Sequence, residues 1–113
     1  MKNLLYFFLA SIFSFVNAQS YNGPESVEYD PVTGEYYISN SSNGQILKWD
    51  GVALTLFVSN VGSGPHGLEI VNNTLYACSG GRLKGFDLID GSEVLNYNLN
   101  GSFLNGISHS NEA

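Results

Sequence analysis

Apolar residues fall in short runs cut by Gly, Asn, Asp and Pro. Val27-Glu28-Tyr29, Tyr36-Tyr37-Ile38, Ile46-Leu47-Lys48-Trp49 and Leu54-Thr55-Leu56-Phe57-Val58 make a first set. Leu68-Glu69-Ile70, Thr74-Leu75-Tyr76-Ala77-Cys78, Leu83-Lys84-Gly85-Phe86 and Glu93-Val94-Leu95-Asn96-Tyr97 make a second. Their β-branched and aromatic content, and the turn-forming residues between them, predict strands. Asn43-Gly44 and Asp50-Gly51 are hairpin dipeptides, because both residue types reach positive φ at low cost. No segment has the period of an amphipathic helix.

The two sets are copies. Gly23-Pro24-Glu25-Ser26-Val27-Glu28-Tyr29 recurs 41 residues later as Gly64-Pro65-His66-Gly67-Leu68-Glu69-Ile70, and Leu104-Asn105-Gly106-Ile107-Ser108 opens a third copy 39 residues after Pro65. Four short antiparallel strands in a period of about 40 residues are the unit of a β-propeller blade. A β-sandwich of hairpins is the other arrangement, but it gives no reason for the recurring Gly-Pro start. The fold class expected is therefore all-β: a propeller portion with blade 1 over about residues 23–60, blade 2 over about 64–100 and the first strand of a third over about 103–113. Propellers close with roughly four to eight blades, so the sequence reads as the N-terminal part of a longer ring, which needs further blades for closure. Several chains sharing one ring is the alternative.

Ahead of the first copy, a short basic start (Lys2) is followed by an apolar stretch from Leu4 to Val16 and by Val16-Asn17-Ala18, a small-residue cleavage site before Gln19. This predicts a signal peptide over residues 1–18 with cleavage between Ala18 and Gln19, and hence a secreted, periplasmic or cell-surface protein. The apolar stretch is shorter than the roughly 20 residues of a membrane span, and nothing after Gln19 is apolar for long enough to cross. The formal charge is −6, from 4 Lys and Arg against 10 Asp and Glu, and loss of Lys2 makes it more negative. With no basic cluster, nucleic acid is excluded as a partner. Cys78 is the only cysteine; within a strand-like run it reads as a small buried hydrophobe, and no pattern links it to His66 or His109 as a nucleophile would require. No catalytic residue is assigned.

Residues that begin each blade's innermost strand converge on a propeller's central channel. The aligned positions are Glu25, His66 and Asn105. All three carry oxygen or nitrogen donors suited to a divalent cation, although strand starts flanked by turns explain the same residue types. The loop Ser39-Asn40-Ser41-Ser42-Asn43-Gly44 offers hydroxyl and amide groups to a sugar-like small molecule, or is a solvated turn. Asn40-Ser41-Ser42, Asn72-Asn73-Thr74 and Asn100-Gly101-Ser102 fit the glycosylation sequon. Trp49 and Phe86 occupy equivalent positions and read as blade-to-blade packing.

From Pro24-Glu25-Ser26-Val27-Glu28-Tyr29-Asp30-Pro31 through Thr33-Gly34 to Tyr36-Tyr37-Ile38-Ser39, the chain resembles the first blade of the senescence marker protein, regucalcin and gluconolactonase family of six-bladed propellers. Pro65-His66-Gly67-Leu68 and Leu104-Asn105-Gly106-Ile107 are also similar to the blade openings of NHL-type propellers. The resemblance implies a divalent cation, calcium or zinc, in the channel of a complete ring, where it polarises a lactone carbonyl and activates water. Glu25 matches the first-blade glutamate ligand, and Asn105 lies in an Asn-Gly-apolar motif like that of the ligand asparagine. The later ligands have no counterpart. The expected role is thus an exported ligand- or surface-binding module with no complete active site and no cofactor of its own. The alternative is part of a metal-dependent, lactonase-like hydrolase.

Overall fold

The computed structural model describes residues 18–111. The expected signal peptide therefore lies outside the described residues, apart from Ala18 at its predicted end.

Eight strands follow one another: β1 (Pro24–Asp30), β2 (Glu35–Asn40), β3 (Gln45–Trp49), β4 (Leu54–Val58), β5 (Leu68–Val71), β6 (Thr74–Ser79), β7 (Arg82–Asp87) and β8 (Glu93–Asn98). They form two four-stranded antiparallel meanders, β1-β2-β3-β4 and β5-β6-β7-β8. The described residues contain no helix, and so no helix long and apolar enough to cross a membrane. The protein is all-β, with two consecutive blade-like sheets that do not close into a ring.

Register makes the two sheets position-for-position equivalents. In the first, Val27 lies opposite Ile38 and Ile38 opposite Leu47; Tyr29 lies opposite Tyr36 and Tyr36 opposite Trp49. In the second, Leu68 lies opposite Ala77 and Ala77 opposite Lys84, while Ile70 lies opposite Leu75 and Leu75 opposite Phe86. Cross-strand partners share a face. We call the face carrying these residues the leading face and its reverse the trailing face.

The core lies where the trailing face of sheet 1 meets the leading face of sheet 2. Tyr37 and Ile46 from the first pack with Leu68, Leu75, Ala77 and Phe86 from the second, and Val61 of the connecting loop completes the cluster. Phe57 seals one side, its ring edge-on to Tyr37 at 4.9 Å. Each fully buried aliphatic or aromatic side chain here contributes about 1.5–3 kcal/mol of transfer free energy. Alternation explains the choice of residues, since a one-residue slip would turn the apolar set of either strand away from its partner sheet.

Polar groups lock the seam. The Leu68 amide donates to Ser26 Oγ at 3.3 Å, and the Glu28 carboxylate of β1 lines a groove with Ile70 of β5. Leu68 offers a free edge amide of β5, which a β1 side chain satisfies where no neighbouring strand stands. The connecting loop is fixed by Val61 N–H to Gly44 O at 2.9 Å and by Ser79 Oγ to Val61 O at 3.0 Å.

The turns at the opposite end absorb much of the acidic charge. Asp30 accepts from Val32 N–H, Asp87 from Ile89 N–H, and Asp50 from Val52 and Ala53 N–H, all at 2.8–2.9 Å. Gly34 (φ 76°) and Gly91 (φ 72°) end the Asp30 and Asp87 turns in the left-handed region, which glycine enters without the steric cost of a Cβ.

Residues 103–111 differ from expectation. They carry no strand pairing, because no second strand of a third sheet stands beside them among the described residues to complete a ladder. The segment is instead pinned to sheet 2 by Leu104 N–H to Gly80 O at 2.8 Å, by Cys78 Sγ to Gly106 O at 3.7 Å and by His109 Nδ1 to Glu69 Oε1 at 2.6 Å. Gly67 faces the Asn105 carbonyl so closely that no Cβ would fit.

Candidate functional site

An antiparallel meander puts the start of its first strand, its β2–β3 turn and the exit of its fourth strand at one end. The two sheets therefore gather the start of β1, the turn 41–44, the loop 59–67 and residues 99–106 on one side of the molecule. Glu25, His66, Asn105 and the loop 39–44 lie here.

Glu25 is exposed and sits in a register shift of β1 between Pro24 and Val27. Such a bulge frees a side chain from the alternation of its strand. His66 precedes β5 and turns its ring edge onto Phe103, with centroids 4.6 Å apart; its Nδ1 is buried without a hydrogen-bond partner. Asn105 is exposed, and its backbone lies against Gly67. The starts of the three repeat units are thus side by side, but His66 is committed to an aromatic contact. Among the described residues, no group of three or more His, Cys, Asp and Glu side chains is placed to hold a metal ion. Glu25, His66 and Asn105 do not amount to the donor set that a resident cation needs, and no step of metal chemistry follows from them.

The hydroxyl-rich loop is spent largely on its own architecture. Ser39 and Asn40 are fully buried. Ser39 Oγ accepts from Ser26 N–H at 2.9 Å, while Asn40 accepts from Asn22 N–H at 3.1 Å and donates to Ser20 O at 3.0 Å, tying down the entering chain. Ser41 Oγ donates to Gly23 O at 2.8 Å. Burial of Asn40 also removes the first sequon as a glycan acceptor; Asn72 and Asn100, which head the other two, are exposed turn residues with φ of 55° and 56°. What the loop leaves open is a shallow depression of about 540 Å³ between turn 41–44 and loop 59–64, lined by Ser42, Asn43, Asn60 and Ser63 and by glycine backbone. None of its lining residues is ionisable.

A second group was missed by the sequence reading. Glu28 and Glu69 occupy equivalent positions on the first strands, and His109 meets Glu69 beside them along a groove shared with Tyr29 and Ile70. Burial, and then the neighbouring Glu69 carboxylate, push the Glu28 carboxyl above its ordinary value. The signal was the Glu-apolar pair repeated at 28–29 and 69–70, but only the packing of residues 103–111 brings His109 to it. Cys78, buried at 3 % exposure, has its thiol pushed up by burial, which disfavours the thiolate.

Trp49 and Phe86 are equivalent in register, yet they do different work. Phe86 is buried between the sheets at 2 % exposure. Trp49 lies on the leading face of sheet 1, where no sheet packs among the described residues.

In comparisons with known proteins, the chain matches no family model and no curated protein.

Proposed function

We propose that this chain is a propeller-type binding module of an exported protein, secreted, periplasmic or at the cell surface, similar to the senescence marker protein, regucalcin and gluconolactonase group. It holds a neutral, hydroxyl-rich small molecule or a partner's surface at its loop end and has no complete active site of its own. The observation that carries this reading is the depression bounded by Ser42, Asn43, Asn60 and Ser63, where hydroxyl and amide groups converge with no ionisable side chain. Such a lining recognises hydroxyls by hydrogen bonds and offers nothing to a charged group. Amide chemical shifts recorded against a panel of mono- and oligosaccharides test it. Shifts confined to residues 41–44 and 60–64 are expected from at least one sugar; none anywhere on this end, up to about 10 mM (a weak-binding limit below about 3 kcal/mol), contradicts it.

The alternative, part of a metal-dependent lactonase-like hydrolase, is favoured by one feature: exposed Glu25 in its bulge at the same end. Its remaining cation ligands would come from outside the described residues. Calcium or zinc titration with Glu25→Ala as control separates the readings, since only the alternative predicts metal affinity lost with that carboxylate.

A further inference from the structure

Asparagine followed by glycine occurs four times, at Asn22-Gly23, Asn43-Gly44, Asn100-Gly101 and Asn105-Gly106. Because glycine has no Cβ, its backbone nitrogen can approach the preceding asparagine side chain unhindered. The fold treats the four pairs differently. Asn43 is held by both ends of its amide: Oδ1 accepts from Gln45 N–H at 3.2 Å and Nδ2 donates to Gln45 Oε1 at 3.0 Å. The Gly44 carbonyl accepts from Val61 N–H at 2.9 Å. Asn22 is clamped through its backbone, which donates to Asn40 Oδ1 at 3.1 Å and accepts from Ser42 N–H at 3.2 Å. Asn100 stands in a left-handed turn at φ 56°, its N–H donating to Asn98 Oδ1 at 2.9 Å. Asn105 has no such support. It is exposed in a segment without strand pairing, and among the described residues neither its side chain nor the Gly106 N–H is hydrogen-bonded to the rest of the protein. The pair is attached only through carbonyls, Asn105 O against Gly67 and Gly106 O to Cys78 Sγ at 3.7 Å, and a thiol is a weak donor.

We infer that Asn105 is a self-modifying site, which deamidates through its own backbone ahead of the other three asparagines. The Gly106 nitrogen loses its proton and bonds to Asn105 Cγ; the Cγ–Nδ2 bond breaks, and ammonia leaves carrying that proton. Water then opens the five-membered imide, at Cγ to give aspartate or at the main-chain carbonyl to give isoaspartate. No oxidant or reductant enters: the chain exchanges ammonia for water and gains about 1 Da. The product puts a new carboxylate at the loop end, which already carries exposed Glu25. The isoaspartyl form also lengthens the main chain by one carbon between the Leu104 and His109 attachments.

Peptide-level mass spectrometry of the full chain, made in a host that adds no glycan and incubated at mildly alkaline pH, reads the four sites separately. Asn105 is expected to gain mass at least about tenfold faster than Asn43, with Asn22 and Asn100 between, because a held asparagine reacts only after local opening. In concentrated urea the four rates should converge to within about a few-fold, since the fold no longer separates them. Gly106→Ala is the control. A Cβ there meets nothing within 4 Å, and Gly106 is not among the glycines at positive φ, so the variant keeps its strands by circular dichroism. It should slow reaction at Asn105 by about tenfold or more and leave Asn22 and Asn100 unchanged. Equal rates at the four sites in the folded protein overturn the inference. So does an unmodified Asn105 once the urea-unfolded chain has converted, or a Gly106→Ala rate equal to that of the native chain.

Discussion

The two sheets share one strand order and closely matching registers, yet Leu68, Leu75, Ala77 and Phe86 on the leading face of the second are sealed, while on that of the first Val27, Tyr29, Tyr36 and Leu56 are exposed and only Ile38 and Leu47 are buried. Leu75 and Phe86 are buried at 2 % exposure or less, whereas their equivalents Tyr36 and Trp49 are not. The same pattern thus does two jobs. In sheet 2 it makes the core; in sheet 1 it makes a surface with the composition of a core. The residue types differ only in part: the sealed positions hold Leu, Ala and Phe, and the exposed ones hold Tyr29 and Tyr36, whose polar tips tolerate water, beside the purely apolar Val27 and Leu56.

The largest effect that would break this contrast is in the core. Phe86→Ala should cost about 3–5 kcal/mol, measured by urea unfolding, and Trp49→Ala distinctly less; equal losses would mean that the two positions carry the same load. Next comes the seam at the loop end. Asn40→Ala removes two hydrogen bonds to residues 20 and 22 and should cost about 1–3 kcal/mol, with faster amide exchange at Asn22 and Ser42.

Smaller still are the titrations, which run in opposite directions. Amides of Ala53 and Val52 hold the Asp50 carboxyl below its ordinary range, and Ser92 does so for Asp90. A depressed acid contributes stability above its unfolded value and loses it as pH falls through the folded one, so the β3–β4 and β7–β8 turns should loosen on acidification below the usual aspartate range. Glu28 is raised, so its charged form is the costly one. Its contribution favours folding at low pH and is lost as pH rises through its folded value. Glu28→Gln should therefore stabilise the protein slightly at neutral pH and make no difference well below pH 4 or so, where carboxylates are protonated in any case. A neutral-pH destabilisation would show instead that favourable interactions of the charged Glu28 carboxylate outweigh its burial. The smallest effect is on mobility in a gel: in a host that glycosylates exported chains, Asn72 and Asn100 should accept a glycan and Asn40 should not.

Strands, turns and the repeat were legible in the sequence because each is local: alternation sets the faces, Asp and Gly set the turns, and a displaced copy is visible without any coordinates. The predicted strand Leu54–Val58 has its observed bounds. What was not legible depends on contacts between units. Nothing in Ser39-Asn40-Ser41 distinguishes a ligand-binding loop from one whose side chains are used up holding residues 20–23, and only burial decides it. The equivalence of Trp49 and Phe86 was visible, but which of the two has a neighbour was not. Residues 103–111 follow the opening pattern of a strand without pairing as one, since a strand is completed by its partner and not by its own sequence.

The central claim is that consecutive sheets share one core through the trailing face of the first and the leading face of the second. Nuclear Overhauser contacts between aromatic rings and methyl groups test it most directly. The account predicts cross-peaks that join Tyr37, Ile46 and Phe57 to Leu68, Leu75 and Phe86, and none between Trp49 and Phe86. Cross-peaks joining Trp49 to Phe86, with Tyr37 free of the second sheet, would mean that the sheets pack leading face to leading face as a sandwich, and would contradict it.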